Sequence, residues 1–150
     1  MTPVLQSLLI ADNIYTDAIT GKRIICGVFN AVGIMPKLPA APDGKLPVMP
    51  CGYDSGSPFI YVSLTDVHGK QEFQLRYVDL KNDTVLLQLD FEVESKNPLT
   101  TVEAVFPAPR LPISEAGVFA FELLWNDQPL GSQRISVENF KPEGQAHDES

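Results

Sequence analysis

The chain has 150 residues, of which 44% are hydrophobic and 20% charged, and these proportions are typical of a single globular domain. It carries 11 Lys and Arg against 19 Asp and Glu, a net charge of −8. A surface of that sign repels phosphate groups, which argues against nucleic acids and anionic membranes as partners.

We expect the N-terminal segment to carry no export or membrane signal. Residues 1–12 contain no basic region, and the apolar run at residues 8–11 ends at Asp12. A signal peptide needs a longer apolar stretch and a membrane span needs about 20 residues, so we expect a cytoplasmic protein. In that reducing compartment Cys26 and Cys51 are expected to be free thiols.

The first two predicted strands are apolar runs at residues 8–15 and 23–32. They flank a polar turn at residues 16–22, in which Gly21 can adopt the positive φ that hairpin loops need. The pattern predicts an antiparallel pair.

The segment 36–58 is interrupted throughout by prolines and glycines, so it cannot form a regular strand ladder. A loop of this length in a compact domain is a natural place for a functional site. Its apolar residues are candidates for contact with a partner: Leu46, Val48, Met49 and Tyr53. They form either a small partner-binding patch or a lid over an open end of the fold.

The middle of the chain shows the clearest alternation of apolar and polar residues. Residues 60–64, 72–77 and 85–93 each place every second, apolar side chain on one face, as half-buried antiparallel strands do. The intervening segments 66–70 and 81–83 have the lengths of hairpin turns. We therefore predict a three-stranded meander over residues 59–94.

Three further strands are predicted at residues 99–106, 118–125 and 131–137. The fold class is then all-β: an antiparallel two-sheet sandwich of the immunoglobulin-like kind, with seven to eight strands and a long Pro/Gly-rich loop. Residues 1–140 are expected to form one domain. Residues 141–150 are polar and acidic, and we interpret them as a disordered tail.

The sequence offers little for catalysis. His68 is the only histidine outside the tail, and its place beside Gly69 is typical of a turn. Two Cys and two His at these spacings form no zinc motif, and no glycine-rich turn leads into a helix to hold phosphate. We predict no catalytic, cofactor-binding or metal-binding residues, no cofactor, and a protein that is not an enzyme.

A row of carboxylates is the remaining polar feature. Asp90, Glu92 and Glu94 alternate along one strand, so neighbours in the row lie about 7 Å apart. Hard cations or acid–base chemistry could use that spacing, although such rows more often mark a solvated face that discourages edge association. An adjacent Asp12 or Glu72 would strengthen the binding interpretation, and that adjacency cannot be derived from the sequence.

Several segments together resemble a known protein family. They are Leu8–Asp12, Thr20–Phe29, Tyr61–Asp66 with His68 and Gly69, and Phe121–Trp125 leading to Leu130 and Gly131. Over residues 5–138 the chain is similar to an uncharacterised bacterial family, a domain of unknown function. The resemblance implies an immunoglobulin-like sandwich in the bacterial cytoplasm, and it implies no activity and no functional residue.

Two functional hypotheses follow. The first is a non-catalytic protein-binding or scaffolding module that uses the 36–58 loop or a free strand edge to engage another protein or a second copy. The alternative is a small-molecule or carbohydrate binder, or a weak hydrolase, that uses exposed carboxylates such as Asp90 and Glu92.

Overall fold

A computed structural model describes residues 2–34, 57–113 and 115–139 of the chain. Within these ranges the protein is all-β, as predicted, and contains no helix, so none that could cross a bilayer. The nine strands are β1 (Val4–Thr16), β2 (Arg23–Val28), β3 (Ala31–Ile34), β4 (Phe59–Thr65), β5 (Gly69–Asp79), β6 (Thr84–Ser95), β7 (Val102–Pro107), β8 (Gly117–Trp125) and β9 (Gln128–Asn139).

The strands form two sheets. The four-stranded sheet has the order β2-β1-β4-β7, and all its neighbours are antiparallel. The five-stranded sheet has the order β3-β9-β8-β5-β6 and is antiparallel except where β3 runs parallel to β9. The two-sheet, mainly antiparallel arrangement predicted from the alternation is confirmed.

One hydrophobic core lies between the sheets. The five-stranded sheet contributes mostly large side chains from alternate positions: Phe73, Leu75, Tyr77, Phe119, Phe121 and Leu123. The four-stranded sheet contributes Leu8, Ile10, Ile60, Val62 and Leu64. The rows predicted to point inward at residues 60–64, 73–77 and 119–123 are therefore buried, and Trp125, at the end of β8, is half-buried.

The predicted meander over residues 59–94 is correct for β5 and β6 and wrong for β4. Strands β5 and β6 form a hairpin, whereas β4 pairs with β1 and β7 in the other sheet. The connection between β4 and β5 buries Val67 completely, and the Asp66 amide donates to the Pro98 carbonyl at 2.9 Å. Burial of Val67 anchors a crossover between sheets where turn length alone indicated a hairpin.

The predicted strand at residues 23–32 is divided between the two sheets, which raises the number of described strands to nine. The Phe29 amide still donates to the Ile10 carbonyl of β1, but the Asn30 carbonyl accepts a hydrogen bond from Ser136 in β9. The chain thus changes partners at residue 30. Periodicity could not reveal this division because both halves are apolar.

Val85 was predicted to point inward with the rest of its row and is instead exposed. The register of β5 and β6 shifts between Tyr77, which faces Leu87, and Val78, which faces Val85. A shift of one residue reverses which side of the sheet each following side chain meets. The bulge therefore places Leu86 against the core and Val85 on the outer face.

The free end of the β1–β2 hairpin bends over the outer face of the four-stranded sheet. Glu103 pairs with Ser63, which pairs with Ser7, whereas Arg23 pairs with Thr16. The nine residues from Ser7 to Thr16 would separate Arg23 from Glu103 by about 30 Å along a flat sheet. The Arg23 Nε atom nevertheless lies 3.8 Å from Glu103 Oε1, so the hairpin must curve back across the sheet.

Two glycines shape this hairpin. Gly21 in its turn has φ +74°, as the predicted role requires, and Gly27 in β2 has φ +73°. A Cβ atom at Gly21 would meet open space, whereas one at Gly27 would lie 2.9 Å from the Asp12 Cγ atom. Both positions need glycine for its backbone freedom, and Gly27 also makes room for a carboxylate.

A buried carboxylate holds the β5–β6 turn. Asp79 Oδ1 accepts hydrogen bonds from the amides of Lys81 at 3.0 Å and Asn82 at 3.3 Å. Its Oδ2 atom accepts one from the Asn82 side chain at 2.7 Å. The Asn82 side-chain bond, followed by the two amides, keeps the pKa of Asp79 below its ordinary value of 3.8. The turn is thus stabilised by an ionised carboxylate.

We predict that Gly27→Ala destabilises the fold more than Gly21→Ala. Both substitutions impose left-handed strain of about 1–2 kcal/mol, and only Gly27→Ala also displaces Asp12. Urea unfolding of the two variants gives the comparison. Equal losses would show that the Asp12 carboxylate moves aside without cost.

We predict that Asp79→Asn lowers the midpoint of thermal unfolding, and that the loss depends on pH. Because the folded-state pKa of Asp79 is depressed, its contribution is complete above the ordinary value and fades as pH falls through the folded value. Wild type and variant should therefore converge at acid pH. Asp83→Asn is the control, since Asn tolerates the φ of +51° there; a similar pH dependence in that variant would contradict the assignment.

Candidate functional site

The candidate site is a groove on the outer face of the five-stranded sheet. It has a volume of about 580 Å³. Its lining comes from β5, β6, the end of β8 and the β8–β9 turn: Glu72, Phe73, Gln74, Asp90, Phe91, Glu92, Leu124, Asn126 and Asp127. Strand alternation creates it, because the residues that flank the inward-facing Phe73 and Phe91 must face outward.

Strand register brings the polar lining together. Glu72 lies directly opposite Glu92 across the β5–β6 pair, and Gln74 lies opposite Asp90. On its other side Gln74 faces Leu124 of β8. The adjacency of Glu72 to the carboxylate row, which the sequence left open, is present. Asp12 lies in β1 of the other sheet and does not contribute.

The β8–β9 turn closes one end of the groove. Asn126 and Asp127 both have positive φ, 49° and 63°, in a two-residue hairpin loop. Tight hairpins of the I′ type need positive φ at both central positions, and Asn and Asp tolerate it better than most residues. The turn thereby positions a fourth carboxylate, Asp127, beside Glu72, Asp90 and Glu92.

The groove is acidic, since four carboxylates line it, and two cations, Lys70 and Arg76, contact its lining residues. Lys70 Nζ lies 3.4 Å from Glu92 Oε1, in an exposed pair that water screens. Asp90 Oδ1 accepts a hydrogen bond from Gln88 at 3.2 Å, which adds no positive charge. Like charges directly opposite each other on a sheet are destabilising, so the Glu72 and Glu92 pair is unfavourable in the free protein. A positively charged ligand would relieve this repulsion.

The floor of the groove is firmly attached to the core. The Phe73 ring is 1% exposed and stacks on the Phe91 ring at a centroid distance of 5.5 Å. The Phe91 ring in turn packs against the Phe106 ring of β7 at a centroid distance of 5.2 Å. On the core side of the sheet, the Trp125 indole donates to Gln71 Oε1 at 3.1 Å. These contacts hold the carboxylates on a rigid support.

The lining of the groove contains carboxylates, amides and apolar side chains. Among residues 2–34, 57–113 and 115–139, no group of three or more Asp, Glu, His or Cys side chains is arranged to hold a metal ion. The arrangement suits a ligand that brings positive charge and hydrogen-bond donors.

A second polar cluster lies on the outer face of the four-stranded sheet. The Tyr61 hydroxyl donates to Glu103 Oε2 at 2.5 Å, and the same carboxylate pairs with Arg23. Burial, and then Glu103, raise the pKa of Tyr61. The phenol therefore stays protonated at neutral pH and serves as a donor that links β4 to β7, which is a structural role.

Strand β6 forms one side of the groove and is also a sheet edge. In the described part of the chain β6 pairs with β5 alone, so its other side has no strand. Asp90, Glu92 and Glu94 lie on its outer face. The carboxylate row, which the sequence suggested for a small ligand, and a strand edge, which it suggested for a protein partner, thus coincide here.

The loop residues predicted to contact a partner, Leu46, Val48, Met49 and Tyr53, lie outside the described residues, and so does the tail at 141–150. The sequence predicted strands at residues 118–125 and 131–137 without indicating that the turn between them meets β5 and β6. The missing information was the pairing of β5 with β8, which joins residues 40 to 50 positions apart. Asn-Asp between two alternating segments was the local signal of a tight turn.

Comparison with known proteins gives a family and no activity. No curated protein matches the chain. A model of a family of unknown function, DUF6941, matches residues 6–138, which confirms the resemblance to an uncharacterised family over nearly the range predicted. Because the match covers most of its length, the chain belongs to DUF6941, a family of unknown function.

Proposed function

We propose that the protein is a non-catalytic binding module that takes up an extended, positively charged segment of another protein along the acidic groove and the free edge of β6. The observation that carries the proposal is the coincidence of these two features. Glu72, Asp90, Glu92 and Asp127 line a groove whose outer wall is β6, a strand that pairs on one side alone within the described residues.

Backbone pairing would supply affinity. An extended peptide that adds to a sheet edge makes main-chain hydrogen bonds with it, and its alternate side chains meet the face of the sheet. The outward residues of β6 repeat about every 7 Å, which is also the spacing of alternate side chains on an extended peptide. A ligand with Lys or Arg at every second position would therefore meet Asp90, Glu92 and Glu94 in turn.

Charge selects which partner can occupy the edge. A second copy pairing through β6 would bring its own Asp90, Glu92 and Glu94 against the same residues, and like charges on a strand edge oppose such contact. A cationic segment is instead attracted to these acids. It also offsets the repulsion between Glu72 and Glu92. This contrast favours a basic protein partner over self-association at this edge.

The strand order supports an immunoglobulin-like topology, which we propose for the fold. With β1, β4 and β7 as strands A, B and E, and β9, β8, β5 and β6 as G, F, C and C′, both sheets follow the immunoglobulin order.

The proposed cytoplasmic location has its own support, because Cys26 is a free, exposed thiol. The sequence resemblance supports a bacterial setting.

We expect a labelled peptide with arginine at alternate positions to bind the protein. The double variant Asp90→Asn/Glu92→Gln should bind this peptide about 2- to 30-fold more weakly, because each exposed charge pair that is lost contributes about 0.2–1 kcal/mol. Fluorescence anisotropy measures the affinity. Added salt should weaken binding.

Glu138→Gln is the matched control, because it removes an exposed acid at the opposite end of β9 from the groove. A peptide with glutamate in place of arginine controls for nonspecific backbone pairing. Binding that is insensitive to salt, or that is as tight in the double variant as in the wild type, would contradict the proposal.

A small polar ligand is the second candidate, because 580 Å³ lies within the range of small-molecule sites and the opposed Glu72 and Glu92 could accept hydrogen bonds from a carbohydrate. This alternative predicts that at least one sugar raises the midpoint of thermal unfolding. A ligand at 100 times its dissociation constant stabilises by about 2.7 kcal/mol, and the shift should vanish in Glu72→Gln/Glu92→Gln. A screen of sugars, nucleotides and divalent cations that moves nothing would remove the alternative.

A further inference from the structure

The β1–β2 hairpin carries an exposed apolar strip. Tyr15 is 54% exposed and lies opposite Ile24, which is 48% exposed. Val28, 56% exposed, lies opposite Ala11, so it shares the face of Ile24 and Tyr15. At the tip of the hairpin Ile19 is almost fully exposed. Apolar side chains gathered on one exposed face mark a contact surface more than the same residues scattered singly.

Strand β2 carries fewer protective residues than the other sheet edges of the described chain, since Arg23 is its one charged residue. Charges, prolines and short length are the usual devices that keep sheet edges from pairing. The β6 edge has its row of acids, β7 has Glu103 and Pro107, and β3 has four residues. Between Arg23 and Val28, β2 contains no acid and no proline.

The charge around β2 favours a second copy of the same chain. The chain as a whole is strongly acidic, but residues 13–30 contain one acid, Asp17, against Lys22 and Arg23. At this edge two copies can approach without opposing negative rows.

The ends of β2 are also complementary in charge. Lys22 and Arg23 lie at its beginning, and near its end the Asp12 carboxylate lies over Gly27, in the space that a side chain would fill. When two β2 strands pair antiparallel, the beginning of each lies beside the end of the other. Arg23 already pairs with Glu103 of its own chain, so it is mainly Lys22 of one copy that approaches the Asp12 of its neighbour.

We propose that two copies associate through β2, which pairs antiparallel with its counterpart about a two-fold axis and joins the two four-stranded sheets. Such an interface is isologous, because the same patch serves both copies. Ile24 and Val28 of each copy pack beside those of the other and bury the apolar strip. The acidic groove lies on the other sheet and remains accessible, so this proposal is independent of the proposed function.

The test uses Cys51→Ser protein, in which Cys26, on the same face as Ile24 and Val28, is the only cysteine. We expect static light scattering to give the mass of a dimer at micromolar concentrations, and a bis-maleimide to link two copies through Cys26. Ile24→Lys/Val28→Lys places like charges against each other and should weaken the dimer at least tenfold and abolish the link.

Leu99→Lys is the control, since it changes an exposed leucine in the β6–β7 connection and should leave the dimer intact. Circular dichroism verifies that each variant is folded. A monomer at all concentrations would overturn the proposal, and this includes the case in which the strip serves a different protein. A dimer that persists in the folded Ile24→Lys/Val28→Lys variant would overturn it as well.

Discussion

The packing of aromatic rings from β5 and β8 against the aliphatic face of β1 and β4 is the constraint on which the rest of the structure depends. The Tyr77 ring lies between those of Phe119 and Phe121, at centroid distances of 5.5 Å and 5.1 Å, and all three residues are almost completely buried. Rings of this size fix the register of β5 against β8, because a slip of one residue would expose them to water. Once that register is fixed, the outward direction of Glu72 and its neighbours on β5 follows.

The sequence predicts this core well because burial imposes a period of two, which a single strand displays in its own residues. The sequence predicts burial poorly where a bulge interrupts the alternation or where a turn residue enters the core. Val85 follows the alternation of its strand in the sequence, yet the bulge opposite Tyr77 and Val78 turns it outward. Val67 lies in a polar turn and is nevertheless part of the core. Neither outcome is encoded within a few residues, since each depends on which sheet the next strand joins.

The acidic groove shows the same limit. Asp90 and Glu92 were recognisable as a row, and the sequence favoured the interpretation of a solvated face. Glu72 belongs to the neighbouring strand of a hairpin, so its register was nearly within reach of local reasoning, but Asp127 was not. The pairing of β8 with β5, together with the tight turn that follows β8, places Asp127 in the groove. A site assembled from three strands and a turn has no local signature, and only the sheet order discloses it.

In the described part of the chain, the β6 and β2 edges each pair on one side only and have opposite chemistry, and that difference separates their proposed roles. The β6 edge, with its acids, resists identical copies and attracts positive charge, whereas the β2 edge, with Ile24 and Val28, has no acid that would repel a second copy. Because the edges belong to different sheets, pairing at one leaves the other open. A dimer joined through β2 would then present two acidic grooves. Two linked grooves can bind a partner with repeated basic segments more tightly than either groove alone, provided that the span between them matches the spacing of the segments.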